Sequence, residues 1–196
     1  GVFDDAGFTE VFDKDKKDKV TLYGGMLWQR VEREIEGTGL KTDTTCFIPV
    51  KTDTQIELMR ISIENISEED ITFTPVSAVP IYGRSADNIR DHRNVTSMLN
   101  RMTMTRYGVV NDPTLTFDER GHRRNTVRYG AFASAGDGSA PLGFCPLVED
   151  FIGEGGSFDN PRFPVTRTPM SSEGDIARGF EAMGSSVFNT VTLKPG

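Results

Sequence analysis

The chain has 196 residues, a formal charge of -7 and an isoelectric point near 4.9, with 36% hydrophobic residues. That length suits one ordinary domain with a substantial core. The acidic balance excludes a general nucleic-acid binder, whose phosphate affinity comes from clustered Lys and Arg. No window resembles a membrane span, and the opening GVFDDAGFTEVFDKDKKDK sets acids and bases where a signal peptide needs an apolar run, so a soluble, cytoplasmic chain is expected.

The dominant hydrophobic period is two, the period of half-buried strands. In chain order, strands are expected over 18–23, 26–35, 44–50, 55–64, 70–81, 95–104, 114–118, 126–134 and 187–193, all rich in Thr, Val, Ile and Phe. Within 55–64 the apolar phase shifts at Arg60, between Ile56 and Leu58 on one side and Ile61 and Ile63 on the other, which predicts a bulge. Glu32, Glu34 and Glu36 alternate and read as a solvated strand face. Turn signals at Gly24 and Gly25, Gly37 and Gly39, 65–70, 111–113 and 136–139 divide the strands at the spacing of a sandwich. Helical pattern is scarce: one turn is expected over 147–152 and a short helix over 171–183, weakened by its glycines. The fold class is therefore all-β, an antiparallel β-sandwich with one or two short helices, forming a single domain over 1–196. Both ends look cut: the start is polar, and LKPG follows a strand with a turn just begun.

Cys46 and Cys145 share no ligand spacing and read as reduced, buried thiols. Two lone histidines without supporting ligands make no metal site, and none is expected. The sequons at Asn65 and Asn94 are treated as accidental, because nothing argues for secretion. The segment GEGG at 153–156 lacks the Lys-Ser/Thr of a phosphate loop and reads as a turn that places Phe151, Ile152 and Phe158 on the core.

Two segments depart from the acidic average. Residues 84–106 carry five arginines against Asp87 and Asp91, and 118–128 carry four against Asp118 and Glu119; each segment holds one of the two histidines. In the first, Asp91 and His92 are adjacent and would point to opposite faces of a strand, so they form no dyad with each other, and no nucleophile motif accompanies them. In the second, His122 reads as a turn residue beside the contact-forming Arg120, Arg123 and Arg124.

The order of these segments is specific. ISIENISEEDITF leads into a core strand and the Arg/Asp/His/Arg-Asn-x-Thr cluster; PTLTFDERGH, YGAFAS, DFIGEGGSFDNP and GFEAMGSSVFNTVTLKPG follow. From Trp28 to Gly196 this resembles the N-terminal β-sandwich of the glycoside phosphorylases of glycoside hydrolase family 94, formerly glycosyltransferase family 36, which act on cellobiose, chitobiose, laminaribiose or β-1,2-oligoglucans. The resemblance implies a galactose-mutarotase-like supersandwich that packs on an (α/α)6 catalytic barrel of the same polypeptide, with the catalytic Asp in that barrel and no catalytic residue here. It implies a parent transferase that cleaves a β-glucosidic bond reversibly and with inversion. Inorganic phosphate is the co-substrate, an α-sugar 1-phosphate is the product, and no cofactor is needed.

The resemblance also implies a homodimer in which a loop of this domain reaches the neighbouring subunit's acceptor-sugar subsite. Asn88, Arg90, Asp91, His92 and Arg93 stand at the matching loop, and a mixed donor and acceptor set suits sugar hydroxyls. Tying strands together through backbone carbonyls is the competing role for these arginines. Two other functions are open: a stand-alone carbohydrate-binding module, and a purely structural interaction domain. The module reading needs an exposed aromatic platform, whereas Trp28, the sole tryptophan, sits in strand pattern and is expected to be buried. Negligible binding of β-linked gluco-oligosaccharides is expected on that basis.

Overall fold

The computed structural model describes residues 3–4, 7–8, 18–51, 53–83, 97–118 and 121–196. The fold is all-β, with two short helices that lie wholly among the described residues. The strands are β1 (Phe3–Asp4), β2 (Gly7–Phe8), β3 (Lys19–Gly25), β4 (Trp28–Ile35), β5 (Leu40–Phe47), β6 (Leu58–Asn65), β7 (Ile71–Phe73), β8 (Val76–Ile81), β9 (Arg101–Thr105), β10 (Gly108–Asn111), β11 (Leu115–Asp118), β12 (Gly121–Arg124), β13 (Tyr129–Phe132), β14 (Gly143–Leu147), β15 (Ile176–Arg178), β16 (Ala182–Val187) and β17 (Val191–Leu193). The helices are α1 (Val148–Ile152) and α2 (Phe163–Thr166). Two compact units form: unit 1 takes the described residues 18–73 and 191–196, and unit 2 takes 74–190 together with β1 and β2.

Unit 1 is an antiparallel meander, β3-β4-β5-β6, and a separate pair, β17-β7. Its register runs without interruption from Lys19↔Glu34 through Glu34↔Lys41 to Lys41↔Glu64. One face carries Val20, Leu22, Val31, Ile35, Leu40, Cys46, Met59, Ile61 and Ile63, and all five buried side chains among the described residues of this unit, Arg33, Ile35, Leu40, Cys46 and Asn65, lie on it. Arg33 donates to Asp18 in an ion pair shielded from solvent, and the other Asp18 oxygen accepts from the Glu36 N–H at 2.8 Å. The opposite face is a ladder of charged and aromatic rungs. Glu32 and Glu34 stand on it, each in an ion pair: Glu32 with Arg30 and Glu34 with Lys19.

The bulge expected at Arg60 is not there, because β5 and β6 pair continuously from Leu40↔Asn65 to Phe47↔Leu58. Apolar residues occupy both faces of β6, so a change of phase needs no extra residue. At the end of β6 the Asn65 side chain is fully engaged. Its Oδ1 accepts from the Ser67 N–H at 2.9 Å and the Ser67 hydroxyl at 2.7 Å, while Nδ2 donates to the Glu69 carbonyl at 2.7 Å and the Leu193 carbonyl at 2.9 Å. The Asn-x-Ser triplet is thus a turn whose buried Asn65 side chain ties β6 to β17.

Unit 2 stacks two sheets and a helical layer. Sheet β13-β10-β9-β15 faces sheet β14-β16-β8 across a core of Ile81, Met102, Met104, Val109, Phe144 and Ala182. The other face of β14-β16-β8 is covered by α1 and α2 through Cys145, Val148, Phe151, Phe163, Met183 and Val187. β16 is therefore buried along its whole length. Its small residues follow from that position: a Cβ on Gly184 would lie 2.2 Å from the Ala131 Cβ of the facing sheet. Burial of apolar side chains on both faces supplies the main stabilising term here.

Several expectations change. Residues 70–81 split at Thr74 and Pro75 into β7 and β8, which belong to different units. Residues 171–183 hold no helix but a bridge at Ser171, then β15 and the start of β16, because the chain pairs with β9 and β8 instead. His122 belongs to β12, paired in register with Phe117, rather than to a turn. The turn over 147–152 is α1, with Glu149 and Asp150 favourably placed at its N-terminal end and Gly153, at φ 76°, closing it. Phe151 reaches the core as expected, whereas Phe158 stays half exposed with its ring 6.3 Å from that of Phe151.

Candidate functional site

Asn88, Arg90, Asp91, His92 and Arg93 lie outside the described residues; what the structure supplies is the surroundings of Gly83 and Ser97, the described residues on either side of them. On the entering side, Gly83 is packed so closely that a Cβ there would lie 2.6 Å from Asn111 Nδ2 and 2.8 Å from Pro113 Cγ. On the leaving side, Asn100 closes a turn onto the Ser97 carbonyl at 3.0 Å and donates through Nδ2 to the Phe180 carbonyl at 2.9 Å. Between them the buried Asn111 side chain donates to Asn100 Oδ1 at 2.9 Å and accepts from the Arg101 N–H at 3.2 Å. Amides suit this place because each both donates and accepts, so a buried polar joint is satisfied without a net charge.

The second basic segment springs from the same base. The Thr114 N–H donates to the Leu99 carbonyl at 3.0 Å, just before β11, and the Asn125 N–H donates to the Thr114 carbonyl at 3.2 Å, just after β12. Asn125 Nδ2 also holds the Val127 carbonyl at 2.5 Å, and Arg128 pairs with Asp112 at 3.0 Å. Segments 84–106 and 118–128, separate in sequence, are therefore rooted side by side on one end of the unit 2 sandwich. The shared asparagine base was missed from sequence, where Asn100 falls within the expected strand 95–104, Asn111 within a turn signal, and Asn125 carries no signal of its own.

Elsewhere in unit 2, Tyr107, Phe132, Ala133, Ser134 and Gly138 line an open depression of about 380 Å³, with the Arg106 guanidinium 5.4 Å from the Tyr107 ring centre. Cys46 and Cys145 are both free and buried. Burial pushes the Cys145 thiol up to about 12, so it is no nucleophile at neutral pH. Among the described residues no three His, Cys, Asp or Glu side chains gather as a metal site, and no helix is long and apolar enough to cross a membrane.

Unit 1 overturns the expectation for Trp28, which is not buried but 44% exposed, at the start of β4 on the charged face. Its exposure depends on two neighbours that are distant in sequence or lack a side chain: Phe47 directly across on β5, and Gly25 across on β3.

The glycosyl hydrolase 94 supersandwich domain model matches residues 29–196. The chain belongs to that family. No curated protein gives a significant match.

Proposed function

We propose that the chain is the accessory β-sandwich of an inverting glycoside phosphorylase, that its 84–96 loop helps form the acceptor-sugar subsite, and that the parent enzyme is a cytoplasmic homodimer. The observation that carries this reading is the family membership over 29–196. The common root of two arginine-rich segments on one end of unit 2 supports it, since a loop that meets a partner subunit or sugar hydroxyls needs a fixed base.

In the reaction proposed for the parent, a phosphate oxygen attacks the anomeric carbon from the face opposite the leaving sugar. The C–O bond to that sugar breaks, and its oxygen takes a proton from a single carboxylic acid. With phosphate as nucleophile a second, base carboxylate is dispensable. The acid belongs to the barrel, so residues 1–196 bind and orient but transfer no proton. Asn88, Arg90, Asp91, His92 and Arg93 offer donors and acceptors to the hydroxyls of the acceptor.

The chain by itself should release no sugar 1-phosphate from cellobiose or laminaribiose with inorganic phosphate. In the full-length enzyme, Arg93→Ala and His92→Ala should raise the acceptor KM in the synthetic direction while leaving thermal stability unchanged; unaltered kinetics would reduce the loop to a structural tie.

A further inference from the structure

We infer that unit 1 carries a carbohydrate-stacking platform, formed by Trp28, Phe47 and Tyr23 on the charged face of β3-β4-β5-β6, whose ligand is a β-linked glucan chain. This reading does not rest on the acceptor loop, which belongs to unit 2.

The register builds the platform in rungs. Gly25, Trp28, Phe47 and Leu58 form one rung, Tyr23, Arg30, Thr45 and Arg60 the next, and Thr21, Glu32, Asp43 and Ser62 the third. Trp28, at the start of β4, is 44% exposed, Tyr23, within β3, 42%, and Phe47, at the end of β5, 37%. The indole fills the space above Gly25: a Cβ there would lie 2.2 Å from Trp28 Nε1 and 2.7 Å from Cε2. A bare glycine on the edge strand thus lets the ring settle over the neighbouring backbone and leaves the rest of its surface open to solvent.

Beside the rings stands a preorganised polar array. Arg30 Nε donates to both Asp43 oxygens at 3.0 Å, and Arg30 Nη2 donates to Asp43 Oδ2 at 2.7 Å and Glu32 Oε1 at 2.6 Å. The same guanidinium sits 5.6 Å from the Tyr23 ring centre, which fixes it against the aromatic row. β-Linked glucose has equatorial hydroxyls at its rim and axial C–H bonds on both ring faces, so it presents an apolar face to an aromatic ring and a polar edge to planar carboxylates and guanidinium. Aromatic residues with a few placed polar groups are the chemistry of such sites. The core of a protein interface is depleted of charge, whereas each of the two rungs after that of Trp28 holds two charged side chains, Arg30 and Arg60 in one and Glu32 and Asp43 in the other. Met26 and Ile48, also exposed, are the residues a contact between copies would use.

Trp28 is the sole tryptophan, so its emission reports on the platform directly. The chain should be titrated with cellopentaose and, as an α-linked control, maltopentaose, with calorimetry in parallel. A saturable emission change with cellopentaose and a much weaker one with maltopentaose is expected. Phe47→Ala should weaken cellopentaose binding about tenfold, the loss of roughly one aromatic contact. Leu22→Ala, on the opposite face of the same sheet, should leave it unchanged. Wild-type calorimetric affinity in Trp28→Ala and Phe47→Ala proteins with native circular dichroism would overturn the proposal. So would an emission change that follows protein concentration rather than sugar, with dimers in sedimentation; that result would assign the surface to a second copy.

Discussion

Units 1 and 2 reach stability by different means. In unit 2 the layers close on Met102, Met104, Phe144, Phe163 and Met183, all essentially inaccessible to solvent, and polar joints such as Asn100 and Asn111 are neutral. In unit 1 the four-stranded sheet leaves Leu22, Met59 and Ile61 half exposed or more on one face and the Trp28 row on the other. Cross-strand ion pairs and the Arg33–Asp18 and Asn65 ties hold it in register. The difference separates two uses of a β-sheet: one is consumed as core, and the other keeps a face available.

The largest expected effect tests the first half of that contrast. Phe144→Ala removes a ring from the middle of the unit 2 core and should cost about 3–5 kcal/mol in urea unfolding, whereas Leu22→Ala in unit 1 should stay within about 0.5 kcal/mol. Comparable losses would erase the contrast. Next, Asp18→Ala strands the shielded Arg33 guanidinium and should cost about 3 kcal/mol. Hydrogen exchange should place the added opening in β3 and β4 and leave β9 and β10 protected. The smallest effect is electrostatic. The hydrogen bonds from Arg30 hold the Asp43 carboxyl below the usual carboxylate range, against a smaller opposing effect of desolvation. A lowered native pKa gives stability that is present above the unfolded value of about 3.9 and is lost as pH falls through the native value. The difference in unfolding midpoint between the wild type and Asp43→Asn should therefore shrink from pH 6 to pH 3; a difference independent of pH would show that this rung contributes no charge-dependent stability.

How much could be read from sequence follows the same division. β3, β4 and β6 are legible through their strand patterning, although the turn between β3 and β4 is the apolar pair Met26 and Leu27 and not the expected Gly24 and Gly25. β14 and β16 are not, because a strand covered on both faces loses alternation, and the Gly184, Ser185, Ser186 run answers to close sheet approach rather than to hydropathy. β15 is only three residues long and is defined by its pairing with β9. The exposure of Trp28 needed knowledge that Gly25 and Phe47 flank it, which register supplies and local composition does not. Residues 88–93, proposed for the acceptor loop, stand out in the sequence as a chemical cluster but lie outside the described residues, while the asparagine joint was hidden by the distance in sequence between its members.

That joint has a consequence for how the sequence between its two sides can vary. Gly83 on one side and Asn100 on the other are fixed by contacts made entirely within unit 2. These two points act as rivets, so replacing the thirteen residues between them, Arg84 to Thr96, by loop transplantation should leave the contacts of Gly83, Asn100 and Asn111 intact.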